Sequence, residues 1–209
     1  MDFLNQHVST KVSGHVKIVD KNTNEVLLDK KNAIHNRNMA LALARGLANE
    51  NNHWIHRMAF GNGGTYVEPG TSGAYQWHYN SPNVIDPDAT LYHQTYSEVI
   101  DDITTSNGNQ VVTSTGTIEN TFLVICTCTL SAAESNLGDQ RQDDSFSDVL
   151  TSSSDTETPY SFDEMCLKTG DSDDVNGEGL LLAHIIFNPI EKTANREIVI
   201  TYTLTISIS

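Results

Sequence analysis

The C-terminal segment 198–208 constrains the fold of this chain more than any other part of the sequence. Every second residue from Ile198 to Ile208 is large and apolar, and the residues between them are valine, threonine or serine. Successive side chains of a β-strand point to opposite faces, and β-branched residues are enriched in strands. The segment therefore predicts a long strand with one face in the core and the other facing solvent.

Further strand patterns recur along the chain, whereas a single stretch has helical periodicity. The strand-like segments are 15–20, 25–29, 54–60, 111–119, 120–130 and 180–187, with 91–100 as strand or partly irregular chain and 160–168 as ordered chain of no assigned type. Sequential antiparallel strands with long connections predict a mainly β fold, an antiparallel β-sandwich of jelly-roll or immunoglobulin-like type. The 209 residues suit a single β-sandwich domain spanning 1–209, with 65–90 and 131–158 as extended loops or insertions.

The helical stretch lies near the N-terminus. Met39, Leu43 and Leu47 recur at four-residue spacing and form an apolar stripe of the kind that packs on a sheet. A side-chain oxygen of Asn36 or Asn38 is suited to cap its first turn. We expect one α-helix here, either closing one end of the sandwich or covering one face.

The glycine-rich run 61–64 follows the strand-like segment 54–60. Glycine adopts positive φ without steric cost, so the run predicts a sharp reversal of the chain. A phosphate-binding loop would need Gly-Lys-Ser/Thr or G-x-G-x-x-G with a helix behind it, and the sequence has none of these. The run is therefore interpreted as a turn.

The charge of the chain is strongly negative and uneven. Asp and Glu total 27 against 12 Lys and Arg, which gives a net charge of −15. Such a field repels phosphate backbones and anionic lipids, so we expect neither nucleic acid nor membrane as a partner. Residues 1–60 nevertheless hold eight of the twelve cations, and 134–178 is acidic. This asymmetry suits head-to-tail packing of identical subunits, although two solvated faces are the plainer interpretation.

The cysteines and the N-terminal residues bear on where the protein is made. Cys126, Cys128 and Cys166 are odd in number and lack a framework spacing, so we expect reduced, buried thiols and an intracellular origin. The first residues lack the basic and apolar regions of a signal peptide. No apolar stretch approaches the ~20 residues that span a bilayer.

Several side-chain groups invite a chemical role, but each has a plainer explanation. The acidic segment 171–178 resembles a calcium loop without the EF-hand spacing. His53 and His56 lack two further zinc ligands, and the carboxylates at 101–102 suit a turn at a strand end. His184 lies inside an apolar strand and is expected to be buried and hydrogen-bonded. With no nucleophile elbow either, we predict no enzyme activity, no cofactor and no metal site.

Two groups of residues are candidates for contacts between proteins. They are the aromatics Tyr75, Trp77 and Tyr79, and the arginines Arg37, Arg45 and Arg57. Exposed aromatic residues mark protein contacts and can also stack on sugar rings. The arginines would contact an acidic neighbour.

Three blocks of the sequence resemble a family of virion structural proteins of tailed bacteriophages. They are 25–39 with 58–65 (ending Met-Ala-Phe-Gly-Asn-Gly-Gly-Thr), 89–96 with 99–102, and 162–168 with 179–189 and 195–204. The resemblance extends from about residue 14 to the end of the chain. It implies a structural role in the virion, with no active site and with other virion proteins as partners.

The hypothesis that follows is a structural subunit of a phage particle. Our first choice is a ring-forming neck or collar protein between head and tail, in contact with its own copies and with portal, tail or capsid proteins. A capsid decoration protein is the alternative within this class. A carbohydrate-binding or receptor-binding module is the competing class, because of the aromatic residues in 65–90.

Overall fold

The structure is a computed structural model that describes residues 9–69, 75–101, 108–131, 160–170, 179–193 and 195–209. Its elements are β1 Thr10–Asp20, β2 Val26–Ile34, α1 Asn36–Leu47, β3 Ile55–Gly61, β4 Thr65–Pro69, β5 Tyr75–Tyr79, β6 Gln94–Val99, β7 Gln110–Thr115, β8 Thr121–Leu130, β9 Tyr160–Thr169, β10 Leu181–Lys192 and β11 Ile198–Ile208. The prediction of a mainly β chain with a helix at this position in the sequence is confirmed. The helix follows the first two strands, so it lies at 36–47 rather than at the N-terminus.

Nine strands form one antiparallel sheet in the order β6-β3-β9-β10-β2-β1-β11-β8-β7. Strand β2 joins its two halves, because its first part pairs with β1 while Ala33 and Ile34 pair with His184 and Ala183 of β10. Both halves contribute buried side chains to one core, such as Tyr202 from β11 and Phe60 from β3. The sheet is thus curled around a shared core, and the continuous pairing does not by itself define a two-sheet sandwich.

The C-terminal strand behaves as its alternation predicts. β11 pairs along its length with β1 on one side and with β8 on the other. Ile198, Ile200, Tyr202 and Leu204 are buried, while the residues between them are half-buried. Cys126 and Cys128 of β8 enter the same core, and all three cysteines are buried and free, as expected.

The two edge strands of the curled sheet meet at Asn109. Its side-chain amide donates to Glu98 Oε1 (2.9 Å) and to the Val99 carbonyl (3.2 Å) at the end of β6. Its side-chain oxygen accepts from the Thr129 amide of β8 (2.8 Å). A buried asparagine therefore connects the two edges, which limits the unpaired backbone that an open edge would expose.

Helix α1 is capped by a histidine rather than by an asparagine. His35 Nδ1 accepts from the Asn38 amide (3.2 Å), and His35 Nε2 donates to the Asp86 carbonyl (2.7 Å). Asn38 is buried, and its amide donates to the carbonyls of Pro87 and Leu181, each at 3.1 Å. The predicted Asn36 or Asn38 cap is wrong because Asn38 holds the neighbouring loop instead.

The apolar stripe of α1 is buried over only its first part. Met39 and Ala42 lie in the core, whereas Leu43 is 37% exposed and Leu47 is 91% exposed. The prediction that Leu47 packs on the sheet is therefore wrong. The last turn of the helix runs past the core and leaves apolar surface uncovered.

The segment 80–93 covers the outer face of the sheet over β3, β9 and β10. Leu91 is buried there with Ala59, Cys166 and Leu181, and Val84 packs beside them. Strand β9 is consequently buried on both faces, which explains the unbroken burial of 162–170.

Candidate functional site

Strands β4 and β5 form a two-stranded hairpin that is separate from the large sheet. It occupies part of the segment 65–90, for which the sequence predicted an extended loop or insertion. The register places Thr65 opposite Tyr79 and Val67 opposite Trp77. Residues directly opposite one another in an antiparallel pair share a face, so Val67, Trp77 and Tyr79 lie on one face of the hairpin.

This hairpin exposes unusually large apolar side chains. Trp77 is 60% exposed and Tyr79 is 53% exposed, and Tyr66 on the opposite face is also exposed. Tyr66 stacks on His78 with a centroid distance of 5.3 Å. An isolated hairpin is marginally stable, and exposed apolar patches mark interaction sites. The hairpin is therefore the best candidate contact surface. The side chain of Tyr75 lies outside the described residues.

Two consecutive buried carboxylates hold the base of the hairpin, and the first is Asp163 of β9. It accepts from the backbone amides of Gly64 and Thr65, each at 2.8 Å, and from the Thr65 hydroxyl. Burial raises the pKa of the Asp163 carboxyl above its ordinary value, and the hydrogen bonds from Thr65 and Gly64 oppose that rise. Asp163 thus fixes the residue at which β4 begins.

The second carboxylate is Glu164, which is fully buried. Its Oε1 accepts from the amides of Gly63 (3.1 Å) and His93 (2.8 Å), and its Oε2 accepts from the Tyr92 amide (3.0 Å) and from His184 Nε2 (3.1 Å). An ionised carboxylate has about four acceptor positions, and here four donors occupy them. Glu164 therefore joins the turn 61–64 to the end of the segment 80–93.

His184 completes this cluster. Its Nδ1 accepts from the Asn83 amide (2.8 Å), so Nε2 carries the proton that it donates to Glu164. Its side chain is fully buried, which confirms the expectation of a buried, hydrogen-bonded histidine. Since both ring nitrogens and both Glu164 oxygens are occupied away from solvent, this acid–histidine pair is an anchor for the backbone and not an acid–base pair open to a substrate.

The glycines of 61–64 are needed for close approach and not for positive φ. Among the described residues, the glycines with positive φ are Gly108 and Gly179, so that part of the prediction is wrong. A Cβ on Gly61 would lie 2.3 Å from the His93 carbonyl oxygen, and one on Gly63 would lie 2.8 Å from the His93 amide nitrogen. Real side chains cannot approach so closely, and glycine lets the turn reach the carboxylates.

The three arginines proposed as contacts lie on two different elements. Arg37 is exposed on the first turn of α1, whereas Arg45 in its last turn reaches Glu50 at 3.5 Å. Arg57 on β3 donates to the Ser97 hydroxyl (3.3 Å) and is half-buried. Arg45 and Arg57 are thus half-buried and partly engaged within their own chain, whereas Arg37 is exposed and remains a candidate contact.

An apolar groove lies beneath the exposed half of α1. It has a volume of about 640 Å³ and opens between the helix, the loop after it and the inner face of β7, β8 and β11. Its lining is mainly apolar and includes Leu43, Leu47, Trp54, Val111, Val124 and Ile206. Sequence reasoning missed this groove, because the spacing of Met39, Leu43 and Leu47 predicts an apolar stripe without showing where the sheet beneath it ends.

The rim of the groove is ordered by Asp101. One carboxylate oxygen accepts from Trp54 Nε1 (2.6 Å), and the other accepts from His56 Nδ1 (2.7 Å). Trp54 is half exposed beside the groove. Asp101 was predicted to belong to a strand-end turn, and it lies in a bend two residues beyond Val99, the last residue of β6.

No group of three or more His, Cys, Asp or Glu side chains among the described residues could hold a metal ion. The acidic segment 171–178, weighed above as a calcium loop, lies outside them. Within the described part of the chain, no helix has the length and apolarity to cross a membrane.

Comparison of the chain with protein-family models, curated proteins and solved structures finds no match.

Proposed function

We propose that this chain is a structural subunit of a tailed-bacteriophage particle and that it assembles through the β4–β5 hairpin. The observation that carries the proposal is an aromatic hairpin, with Trp77 60% exposed, standing on a base whose polar groups are buried and paired. A surface that exposes aromatic residues on a fixed support suits a permanent protein contact. The resemblance of three sequence blocks to phage virion proteins supports the same role.

Within the particle, a ring at the neck or collar is the first choice, with portal, tail and other copies of the chain as neighbours. The uneven charge supports it, because oppositely charged regions favour head-to-tail contacts around a ring. A capsid decoration protein is the alternative. We also propose that the curled sheet is a β-sandwich of jelly-roll or immunoglobulin-like type, since both halves share one core.

The test is to locate and count the chain in purified particles. Electron microscopy of intact virions is expected to place it at the neck, with a copy number by quantitative mass spectrometry that matches the portal ring. A copy number that follows the capsid lattice would favour the decoration protein. Particles that lack the chain altogether would refute the virion role.

A carbohydrate-binding or receptor-binding module is a second candidate, favoured by one observation. Trp77 and Tyr79 are exposed on the same face of the hairpin, which is the arrangement that can stack on a sugar. Binding on a glycan array that disappears in Trp77→Ala would support this function. Absence of glycan binding, with self-association that depends on Trp77, would support the assembly function.

A further inference from the structure

We infer that the open edge of β7 binds an extended segment of a different protein, which adds a strand to the sheet and places every second side chain in the apolar groove beneath α1. The segment that fits this edge combines apolar residues with lysine or arginine. The contact goes beyond the proposed function, because it uses neither the β4–β5 hairpin nor a second copy of the chain.

Strand β7 is the last strand of the curled sheet, and among the described residues it pairs with β8 alone. The amide of Gly116 donates to the Thr121 carbonyl (2.8 Å), so these two residues form a hydrogen-bonded pair. Bonded and non-bonded pairs alternate along an antiparallel ladder. The backbone groups of Val111, Thr113 and Thr115 therefore point away from β8. They present N–H and C=O groups with which a further strand can pair.

This edge lacks the features that usually block an open strand. The sequence of β7 is Gln-Val-Val-Thr-Ser-Thr, which contains neither a charge nor a proline, and it pairs with β8 without a register shift. All of its residues except Val111 are exposed. The edge strand at the other end of the sheet, β6, carries Glu98, and charges of this kind discourage strand addition. Of the two edges of the sheet, β7 is thus the one suited to accept a strand.

The groove lies on the inner face of the same edge. Val111 belongs both to β7 and to the groove lining, and Thr113 is opposite Val124, which also lines the groove. Residues opposite one another in an antiparallel pair share a face. Side chains of an added strand that lie opposite Val111 and Thr113 would therefore enter the groove. Backbone pairing would give the contact its affinity, and the apolar lining would select the alternate side chains.

The charge of the lining indicates a basic segment. Glu50 and Asp101 line the groove, and its lining residues include no lysine or arginine. Arg45, outside the lining, offsets part of the Glu50 charge at 3.5 Å. Asp101 accepts from Trp54 and His56 rather than from a lysine or arginine. A segment that carries a cation beside its apolar residues complements this lining, and an acidic segment is repelled.

The partner is a different protein rather than a second copy of this chain. The described strands with an open edge are β4, β5, β6 and β7. None of the four carries a lysine or arginine, and β4 and β6 carry Glu68 and Glu98. A second copy would thus bring an acidic or uncharged strand to an acidic groove.

Fluorescence anisotropy of a labelled synthetic peptide, titrated with the whole chain, tests the inference. The peptide Thr-Val-Lys-Val-Thr-Val-Lys-Val alternates valine with polar residues, and its matched control has glutamate in place of lysine. We expect saturable binding of the lysine peptide and about tenfold weaker binding of the glutamate peptide. In a Trp77→Phe background Trp54 is the remaining tryptophan, and its emission should shift on binding because it lines the groove half exposed.

A pair of substitutions in β7 tests the backbone pairing. Thr113→Pro removes an amide that points away from β8, and proline is tolerated at such positions of an edge strand. It should lower the affinity about tenfold, whereas Thr113→Val keeps the amide and should bind as the wild type does. If circular dichroism shows Thr113→Pro unfolded, lysine peptides N-methylated at valine replace it, because those amides would face β7. N-methylation at lysine, whose amide would face away, is their control.

Failure of the wild-type chain to bind the lysine peptide would overturn the inference. Equal affinity for the lysine and glutamate peptides would overturn the basic partner, and equal affinity of Thr113→Pro and Thr113→Val would overturn the pairing with β7. Self-association of the chain that Thr113→Pro abolishes would make a second copy the occupant, which also contradicts the inference. The virion role is decided separately, by the composition of purified particles.

Discussion

The hairpin and its base are neighbours in sequence but opposite in physical character. The base, formed by the turn 61–64 and the segment 80–93, buries two carboxylates and a histidine and pairs them with backbone amides. The hairpin between them exposes a tryptophan and two tyrosines. The usual distribution of polar and apolar groups is thus reversed in both regions. The difference indicates that the two regions have different roles: the base holds the backbone in place, and the hairpin presents side chains for contact with another molecule.

The base and the hairpin are expected to differ in how strongly a substitution lowers the free energy of unfolding. A buried charge costs several kcal/mol unless hydrogen bonds satisfy it. The hydrogen-bond network of the base is therefore stable only when every buried polar group in it has its partner. Single changes in the base are therefore expected to lower the free energy of unfolding strongly. Changes on the hairpin are expected to leave it nearly unaltered, because water already solvates those side chains.

The largest effect is expected from Glu164→Ala. The substitution would leave the amides of Gly63, Tyr92 and His93 and the buried ring of His184 without their acceptor. A buried donor that loses its acceptor costs about 1–3 kcal/mol, and here four donors lose theirs at once, so the free energy of unfolding is expected to fall by several such increments. Urea unfolding followed by circular dichroism measures the loss, and Glu25→Gln on an exposed turn is the control. A loss of stability no larger than that of the control would mean that the hydrogen bonds to Glu164 do not stabilise the fold.

The next effect is expected from Gly63→Ala. The new methyl group would lie 2.8 Å from the His93 amide nitrogen and from Tyr92 Cβ, so the turn must shift away from Glu164. Overpacking of this kind costs about 1–3 kcal/mol. Gly46→Ala is the matched control, because nothing lies within 4 Å of a Cβ there and the helix gains about 0.5–1 kcal/mol. Equal effects of the two substitutions would contradict the close approach in the turn.

Sequence reasoning succeeded where the pattern is local. The alternation in 198–208 predicted a strand with a single buried face, and the apolar surroundings of His184 predicted its burial. The base was out of reach, because its bonds join residues about a hundred positions apart, such as Gly64 and Asp163. In an alternating strand, neighbours such as Asp163 and Glu164 would face opposite sides, so local pattern predicts that one of them is solvated.

The groove shows the same limit. Periodicity placed Leu47 on the apolar stripe of α1 correctly, but periodicity does not state how far the sheet extends beneath the helix. The prediction of an asparagine cap is wrong for a related reason. Asn38 has a suitable side chain, but its side-chain amide donates to the carbonyl of Leu181, which is distant in sequence. Local propensity identifies which residues are able to act, and tertiary contacts select among them.

A smaller loss of stability, one that depends on pH, is expected at Asp20, the last residue of β1. Asp20 accepts from Arg196 Nε (2.7 Å), and this bond holds the pKa of its carboxyl below the ordinary 3.8. Its stabilisation is present above pH 3.8 and is lost as the pH falls through the lowered folded pKa. Asp163 has the opposite sign, because burial raises its pKa and the folded state then loses stability as the pH rises above 3.8.

Asp20→Asn is therefore expected to cost about 1 kcal/mol at neutral pH, by loss of the charge-assisted bond. The difference from wild type should shrink as the pH falls below 3.8. Urea midpoints across that range measure it. A difference that stays constant with pH would mean that the Arg196 pairing does not stabilise the fold.

The smallest effect on stability is expected from Trp77→Ala. The indole is largely solvated on a hairpin that lies outside the main sheet, so the free energy of unfolding should change by no more than about 0.5 kcal/mol. Thermal unfolding of a dilute, monomeric sample gives this number without any contribution from association. Phe60→Ala is the contrasting variant, since that ring is fully buried and its loss should cost about 3–5 kcal/mol. If Trp77→Ala destabilised the monomer as Phe60→Ala does, the tryptophan would belong to the fold. A near-zero change would instead mean that the chain keeps a large aromatic side chain in water for something other than its own stability.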